Sequence, residues 1–402
     1  MMSLPDFIEI TGVELATACA GIKQRDRDDV LLIALAEGSS VAAVFTQNKC
    51  YAAPVALAKQ HLAGYHTPRY LLVNAGNANA GTGEQGMIAA RECIQSLSVI
   101  NGVESEAILP FSTGVIGEPL PVAKIQAVFP ELVSSLAPSN WSKAAHAILT
   151  TDTQAKGVTQ TVQTTQGMAN ISAIAKGSGM IKPNMATMLA FIATDLVIDQ
   201  ASLQSILSSI VDDSFNAITV DSDTSTNDAA VLMATGKGSV NFGSLSTQEQ
   251  ALVVSALRDV CIALAQRIVQ DGEGATKFIT IQVTGGVTKE DCRAVAFTVA
   301  ESPLVKTAMF ASDPNWGRIL AAIGRAPIEN IDPELLSIAI NQVPIVDGGS
   351  RSNAYDEATA SKALASDVID IDIHLNQGEA QATVWSCDFS YDYIKINAEY
   401  RS

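Results

Sequence analysis

Apolar residues recur along the chain with two distinct periods. Leu203, Ile206, Leu207 and Ile210 stand at helical spacing, so the pattern predicts an amphipathic helix there. Val253, Leu257, Val260, Leu264 and Ile268 form a longer stripe, preceded by Ser246 and Glu249 at the spacing of a capping box. That helix is expected to stop at Gly272. The period then changes: Ile279, Ile281 and Val283 alternate with Phe278, Thr280, Gln282 and Thr284, as in a half-buried strand. Leu71-Leu72-Val73 reads as a short buried strand running into Asn74–Gly81. That stretch is so rich in Gly and Asn that a loop with several positive φ angles is expected. A helix from about Gln85 to Leu97 should follow. Met188 to Ile192 reads as another buried strand. Strands and helices mix without a strict βαβ rhythm, which predicts an α+β, layered αββα fold. A chain of 402 residues exceeds what one core usually serves, so two domains or one large layered domain are expected. No break in composition marks a linker.

Composition changes the picture in one respect. The chain is 48% hydrophobic, which excludes disorder, but Asp+Glu outnumber Lys+Arg by 42 to 25, a net charge of -17. Such a field repels phosphate backbones and anionic lipids, so the sequence argues against nucleic-acid and membrane partners. An anionic small substrate needs a local cluster of cations. No apolar run approaches the roughly 20 residues of a spanning helix. The segment before Lys23 carries Asp6, Glu9 and Glu14, unlike a secretory signal. Cys19, Cys50, Cys93, Cys261, Cys292 and Cys387 are scattered without a CxxC pair, as in a reduced, intracellular protein. A cytoplasmic location is expected.

Conventional catalytic constellations are scarce. His61, His66, His146 and His374 lack metal-ligand spacing, and no metal is expected. His61 and His66 lie in a polar stretch and read as solvated surface residues. There is no GxxxxGK[ST] loop and no GxSxG elbow. One segment stands apart: Lys176-Gly177-Ser178-Gly179-Met180-Ile181-Lys182-Pro183-Asn184-Met185-Ala186-Thr187-Met188-Leu189. Its glycines allow close approach of backbone and ligand, and Pro183 restricts the turn. Thr187 then opens the apolar run. Residue types leave two readings: a nucleophilic hydroxyl at the entry of a buried strand, or a turn threonine that only bonds its own backbone.

That segment is very similar to the self-cleavage segment of the ornithine acetyltransferases, also called glutamate N-acetyltransferases, of cyclic arginine biosynthesis. The resemblance extends to Thr46-Gln47-Asn48, Asn74–Asn79, Ser112–Gly117, Thr150–Thr153, Thr219–Asp228, Asp271–Lys277, Asp313–Arg318 and Asn397–Tyr400, in order along nearly the whole chain. It implies a sandwich of the N-terminal-nucleophile, self-cleaving type with a smaller C-terminal subdomain. The Ala186–Thr187 bond breaks, residues 1–186 become an α chain, and 187–402 become a β chain headed by the nucleophile Thr187. Both contribute to one layered core, and two such pairs form an α2β2 heterotetramer. Thr113 and Gly114 match the oxyanion hole. Thr150, Lys176, Thr187, Glu273, Asn397 and Ser402 match the substrate contacts, although Arg401-Ser402 replaces a threonine-containing end. Lys176 is expected at the substrate carboxylate and Glu273 at the cationic amine of ornithine. Lys182 and Lys277 read as exposed lysines, and Arg318 as a brace. Ile394, Ile396 and Tyr400 are expected to anchor the tail.

The implied reaction moves acetyl from N2-acetyl-L-ornithine to L-glutamate, giving ornithine and acetylglutamate by a ping-pong acetyl-threonine route. No cofactor is implied, and acetyl-CoA is left open as a second donor. Two rivals remain at this level: an N-terminal-threonine amide hydrolase or aminopeptidase, and a non-enzymatic protein that shares the fold. The base for the first self-cleavage step is not identified by the sequence.

Overall fold

The computed structural model describes residues 3–23, 26–64, 67–182 and 188–399. His66, Ala186, Thr187, Tyr400 and Ser402 lie outside the described residues. The chain divides into two compact units: Met1–Asn216 with Asp223–Ile268, and Ala217–Ser222 with Val269–Ser402.

In the first unit the described strands are β1 (Val13–Ala18), β2 (Val30–Leu35), β3 (Ser40–Phe45), β4 (Tyr70–Asn77) and β5 (Ile108–Val115). They are followed by β6 (Lys156–Thr164), β7 (Gly167–Lys176), β8 (Leu189–Thr194) and β9 (Ala229–Ala234). These form two sheets, ordered β1-β2-β4-β5 and β3-β9-β8-β7-β6. Strand alternation decides what each face touches. Leu31 and Ile33 of β2, with Leu71, Leu109 and Phe111, point between the sheets and meet Ile174, Phe191 and Val231 of the second sheet. Phe111 and Phe191 close the contact edge to face, centroids 5.3 Å apart. Leu32, Leu72 and Ile108 point the other way, against Ile94 and Leu97 of helix Gly83–Asn101 and against Phe129 and Leu132. On the second sheet's outer side, helix Gln200–Asp212 packs on β3 and β9. Helix Thr247–Gln270 is tied at both ends to the β6–β7 hairpin, by Glu249 to Thr165 and by Arg267 to the Gly157 carbonyl. Helix, sheet, sheet, helix: the expected αββα layering is present. β8 and β9 are buried at every position because both faces are covered, which explains their unbroken apolar sequence. The layered core draws residues from both sides of position 186.

The second, smaller unit has the described strands β10 (Phe278–Gly286), β11 (Ser337–Ile340), β12 (Val343–Asp347), β13 (Ser350–Arg351), β14 (Val368–His374) and β15 (Ala380–Cys387). They form one sheet in the order β13-β12-β11-β14-β10-β15. Ile279, Ile281, Val283 and Val384 pack against Val295 and Val299 of helix Lys289–Ala300. Arg318 braces this unit, donating to the Leu304 carbonyl (2.8 Å) and to the Thr307 hydroxyl.

Several local expectations are met. Asp199 caps helix Gln200–Asp212 by accepting from the Ser202 N–H, and Leu203, Ile206, Leu207 and Ile210 are its buried face. Ser246 and Glu249 form the reciprocal capping box. Others need correction. Asn74–Asn77 is not loop but the end of β4, since its pairing with β5 overrides local turn preference; the positive φ angles expected of Asn74–Gly81 are found at Gly76, Asn79 and Gly81. His61 is buried inside helix Ala53–Gly64, with Nδ1 2.8 Å from the Ile108 carbonyl. Lys277 is also buried, donating to the Ser312 hydroxyl and the Leu364 carbonyl. Ile394 is 67% exposed and anchors nothing; Phe389 and Tyr393, stacked at 4.6 Å, pack the tail instead. Among the described residues no helix is long and apolar enough to cross a membrane.

Candidate active site

The candidate residues of the first unit gather where strands of both sheets end. β5 delivers Thr113 and Gly114, paired in parallel with Ala75 and Gly76 of β4. Gly114 has φ +130°, and a Cβ there would sit 2.3 Å from the Gly76 carbonyl carbon. Only glycine fits. The Asn-rich run braces this strand end: Asn74 accepts from the Ser112 hydroxyl at 2.6 Å and donates to the Asn77 carbonyl. Asn227, from the segment before β9, donates to the carbonyls of Ala78 and Ser112 at 2.6 and 2.9 Å. The two sheets are thus pinned together one residue before Thr113.

Lys176 closes β7, opposite Leu189 of β8. It is buried, with Nζ 3.4 Å from the Thr113 hydroxyl and 3.8 Å from Asp152. Asp152 is the hub. Its carboxylate accepts from Lys156 Nζ at 2.7 Å, from the Gly177 N–H at 2.7 Å and from the Thr150 N–H at 3.1 Å. Burial pushes this carboxyl up, but the charges of Lys176 and Lys156 and the bonds from Lys156 and Gly177 outweigh it and hold it well below the usual carboxylate range. Thr113, Thr150 and Lys176 are therefore brought together through a residue that the sequence presented only as part of a motif. This is the local positive charge that the net charge of -17 withholds elsewhere.

Asp228 has the opposite character. It precedes β9 as Met188 precedes β8, and the parallel register starts with Leu189 beside Ala229. Its Oδ1 accepts the Met188 N–H at 2.8 Å, while the Ala229 N–H donates back to the Met188 carbonyl at 3.1 Å. Oδ2 is buried, and the Ser225 side chain lies on the same carboxyl. Burial pushes the carboxyl well above its usual range, outweighing the Met188 N–H, the Lys176 charge and the Ser225 hydrogen bond.

Glu273 and Asn397 meet in the second unit. Gly274 has φ +70° and its Cβ position lies 2.4 Å from the Tyr393 nitrogen, so the turn presses against the terminal helix Tyr391–Ala398. Glu273 is buried and accepts from Asn397 Nδ2 at 3.0 Å; Asn397 itself is exposed. Ser390 ties the same turn by donating to the Gly274 carbonyl.

Cys93 and Cys261 are pushed up to about 12 by burial, which leaves negligible thiolate at neutral pH. His61 and His146 are held by backbone carbonyls.

Comparison with known proteins gives a consistent result. A family model described as the ArgJ family matches residues 14–402. The arginine biosynthesis bifunctional protein ArgJ of Pseudomonas syringae pathovar tomato is 48% identical over 403 residues, covering 99% of this chain and 98% of its own. The protein of the same name from Methylococcus capsulatus is 49% identical over 393 residues, covering 98% and 96%. A solved ArgJ structure from Bacillus halodurans is 39% identical, covers 51% of this chain and 96% of that one, and has a TM-score of 0.48.

Proposed function

The chain belongs to the ArgJ family, and from that premise we propose that it moves acetyl from N2-acetyl-L-ornithine to L-glutamate through an ester on Thr187. The observation that carries the reading is the 3.4 Å contact between Lys176 Nζ and the Thr113 hydroxyl, beside the obligatory Gly114 and at the end of β7 that pairs with the start of β8. A hydroxyl, a strand-end glycine and a buried cation meet there.

A threonine hydroxyl is a weak nucleophile without a base. Breaking the Ala186–Thr187 bond supplies one, an α-amine whose ordinary pKa of about 7.7–8.0 suits it to accept the hydroxyl's own proton. Thr187 Oγ then bonds to the acetyl carbon, and Thr113 with the Gly114 N–H holds the oxyanion. The proton passes to the departing nitrogen and ornithine leaves. The α-amine of glutamate attacks the acetyl ester, gives up a proton, and Thr187 is regenerated. One amide replaces another, so the exchange runs near equilibrium. Donor and acceptor share an α-carboxylate, which Lys176 balances; Thr150, Glu273, Asn397 and Ser402 keep the substrate roles that the family resemblance gives them. Assembly as α2β2 in the cytoplasm belongs to the same reading.

The test is acetylornithine turnover with and without glutamate. A transferase needs the acceptor for fast turnover and makes acetylglutamate; a hydrolase releases acetate at the same rate without it. Replacing acetylornithine by acetyl-CoA in that assay decides whether this chain shares a second activity.

Thr113→Ala is expected to raise the barrier to acetyl transfer by about 2.7–4 kcal/mol. Affinity for a non-reacting acetylornithine analogue should stay nearly unchanged, because the oxyanion exists only near the transition state. Equal losses in rate and affinity would make Thr113 a binding residue. Asn397→Ala removes a donor from buried Glu273 and should weaken substrate binding by roughly 1 kcal/mol, with self-cleavage intact. Calorimetric titration of the analogue and a denaturing gel check the two halves.

A further inference from the structure

Lys306 stands in helix Pro303–Phe310 of the second unit and is 2% exposed. Among the described residues no carboxylate lies within ion-pair distance of it. Its Nζ instead donates to the Ser386 hydroxyl at 3.0 Å and to the Cys387 carbonyl, and it lies 4.5 Å from the centroid of the Phe389 ring. The acidic residue inside that segment, Asp388, is taken elsewhere: it accepts the Thr276 and Lys277 N–H groups at 2.8 Å each and the Thr276 hydroxyl. A buried ammonium held only by neutral oxygens and a ring face is costly to keep. All of these contacts fall on Ser386–Phe389, the segment that leads β15 into the terminal helix Tyr391–Ala398.

From Phe389 a line of contacts reaches the substrate residues. Its ring stacks on Tyr393, centroids 4.6 Å apart and planes 22° from parallel. Tyr393 and Asn397 are four residues apart on the helix and therefore share a face. The Tyr393 carbonyl accepts from Asn397 Nδ2 at 3.0 Å, and the same Nδ2 donates to Glu273 Oε2 at 3.0 Å. Both protons of that amide nitrogen are thus assigned, and the plane of the amide with them. The Tyr393 backbone nitrogen also presses on Gly274, where a Cβ would sit only 2.4 Å away.

We infer that Lys306 is a positioning residue for the end of the site formed by Glu273 and Asn397, acting through Phe389 and Tyr393. The inference deepens the acetyltransferase reading and rests on the substrate roles given there to Glu273 and Asn397. Lys306 holds the last residue of β15 and the first aromatic ring of the tail at one point, which fixes the direction in which the tail leaves the strand. The Phe389–Tyr393 stack then sets which face of the helix turns toward Glu273. A neutral side chain of similar length would fill the space, but it could neither donate to the Cys387 carbonyl nor attract the ring face.

Steady-state acetyl transfer by the mature protein tests this. Lys306→Met keeps the side chain's reach and removes its charge and donors. KM for acetylornithine should rise about fivefold in Asn397→Ala and about three- to fivefold in Lys306→Met, with kcat unchanged in both. The double variant should match Asn397→Ala alone, because both changes undo the same contact. A lysine that only supports the fold would lower kcat and the melting temperature at unchanged KM, or would multiply its loss with that of Asn397→Ala. Either result overturns the inference while Asn397 keeps its role, as does a wild-type KM in Lys306→Met beside an impaired Asn397→Ala. A wild-type KM in Asn397→Ala removes that residue's substrate role, and the inference falls with it. If Lys306→Met does not fold, Phe389→Leu decides: it removes the ring between Lys306 and Tyr393, and a wild-type KM there overturns the inference.

Discussion

Thr187→Ala is expected to remain one chain of 402 residues with no acetyl transfer, whereas the parent resolves into residues 1–186 and 187–402. The argument is chemical before it is structural. Alanine has no oxygen to attack the preceding carbonyl, so neither the ester nor the free α-amine can form. Both later steps use the same atom, and activity should fall by the full factor rather than a fraction. The layered core should be untouched, because β7, β8 and β9 pair through residues 171–176, 189–194 and 229–234. Circular dichroism and thermal melting should therefore match the parent closely. A cleaved Thr187→Ala protein would remove Thr187 from the account altogether.

Asp152→Asn is expected to cost about 3–5 kcal/mol of stability, because it removes the buried carboxylate that Lys156 meets at 2.7 Å and Lys176 at 3.8 Å. Side-chain exposure is 0% for both Asp152 and Lys156, so water cannot compensate. The pH dependence has a definite sign. A carboxyl held below its ordinary pKa in the folded state contributes fully above the unfolded value of about 3.9 and loses that contribution as pH falls toward the folded one. The melting difference between parent and Asp152→Asn should therefore be constant near neutrality and shrink in acid. Lys176 loses one of its charged contacts in the same variant, so analogue affinity should fall as well. Asp228 gives the opposite slope. Its folded pKa is raised, so the native state favours the protonated form, and the benefit is lost as pH rises from the unfolded to the folded value. Asp228→Asn should melt no lower than the parent at neutral pH.

The long periodic elements were legible from the sequence because their information is local. Leu203 to Ile210 and Val253 to Ile268 carry their helical stripes, and the capping box at Ser246 and Glu249 is a spacing of three residues. The Asn74–Asn77 segment misled because its conformation is set by β5, over thirty residues away. His61 and Lys277 misled in the same way: each polar head finds a carbonyl from a distant strand or helix, which a polar neighbourhood in the sequence does not reveal. Thr113, Gly114, Thr150 and Lys176 were reached through family likeness, not through residue chemistry. Asp152 and Asp228 were missed as individual residues, since their significance lies in partners remote along the chain. For Asp228 one signal was present: an acidic residue immediately before the wholly apolar strand Ala229–Ala234.

The central claim is an acetyl group carried on Thr187 between donor and acceptor. Mature protein mixed with N2-acetylornithine and no acceptor, quenched in acid and measured by intact mass, tests it most directly. The chain beginning at Thr187 should gain one acetyl group, and adding glutamate should remove it and yield acetylglutamate in equal amount. Turnover to acetylglutamate without any acetylated intermediate, or acetyl found on another residue, would contradict the account.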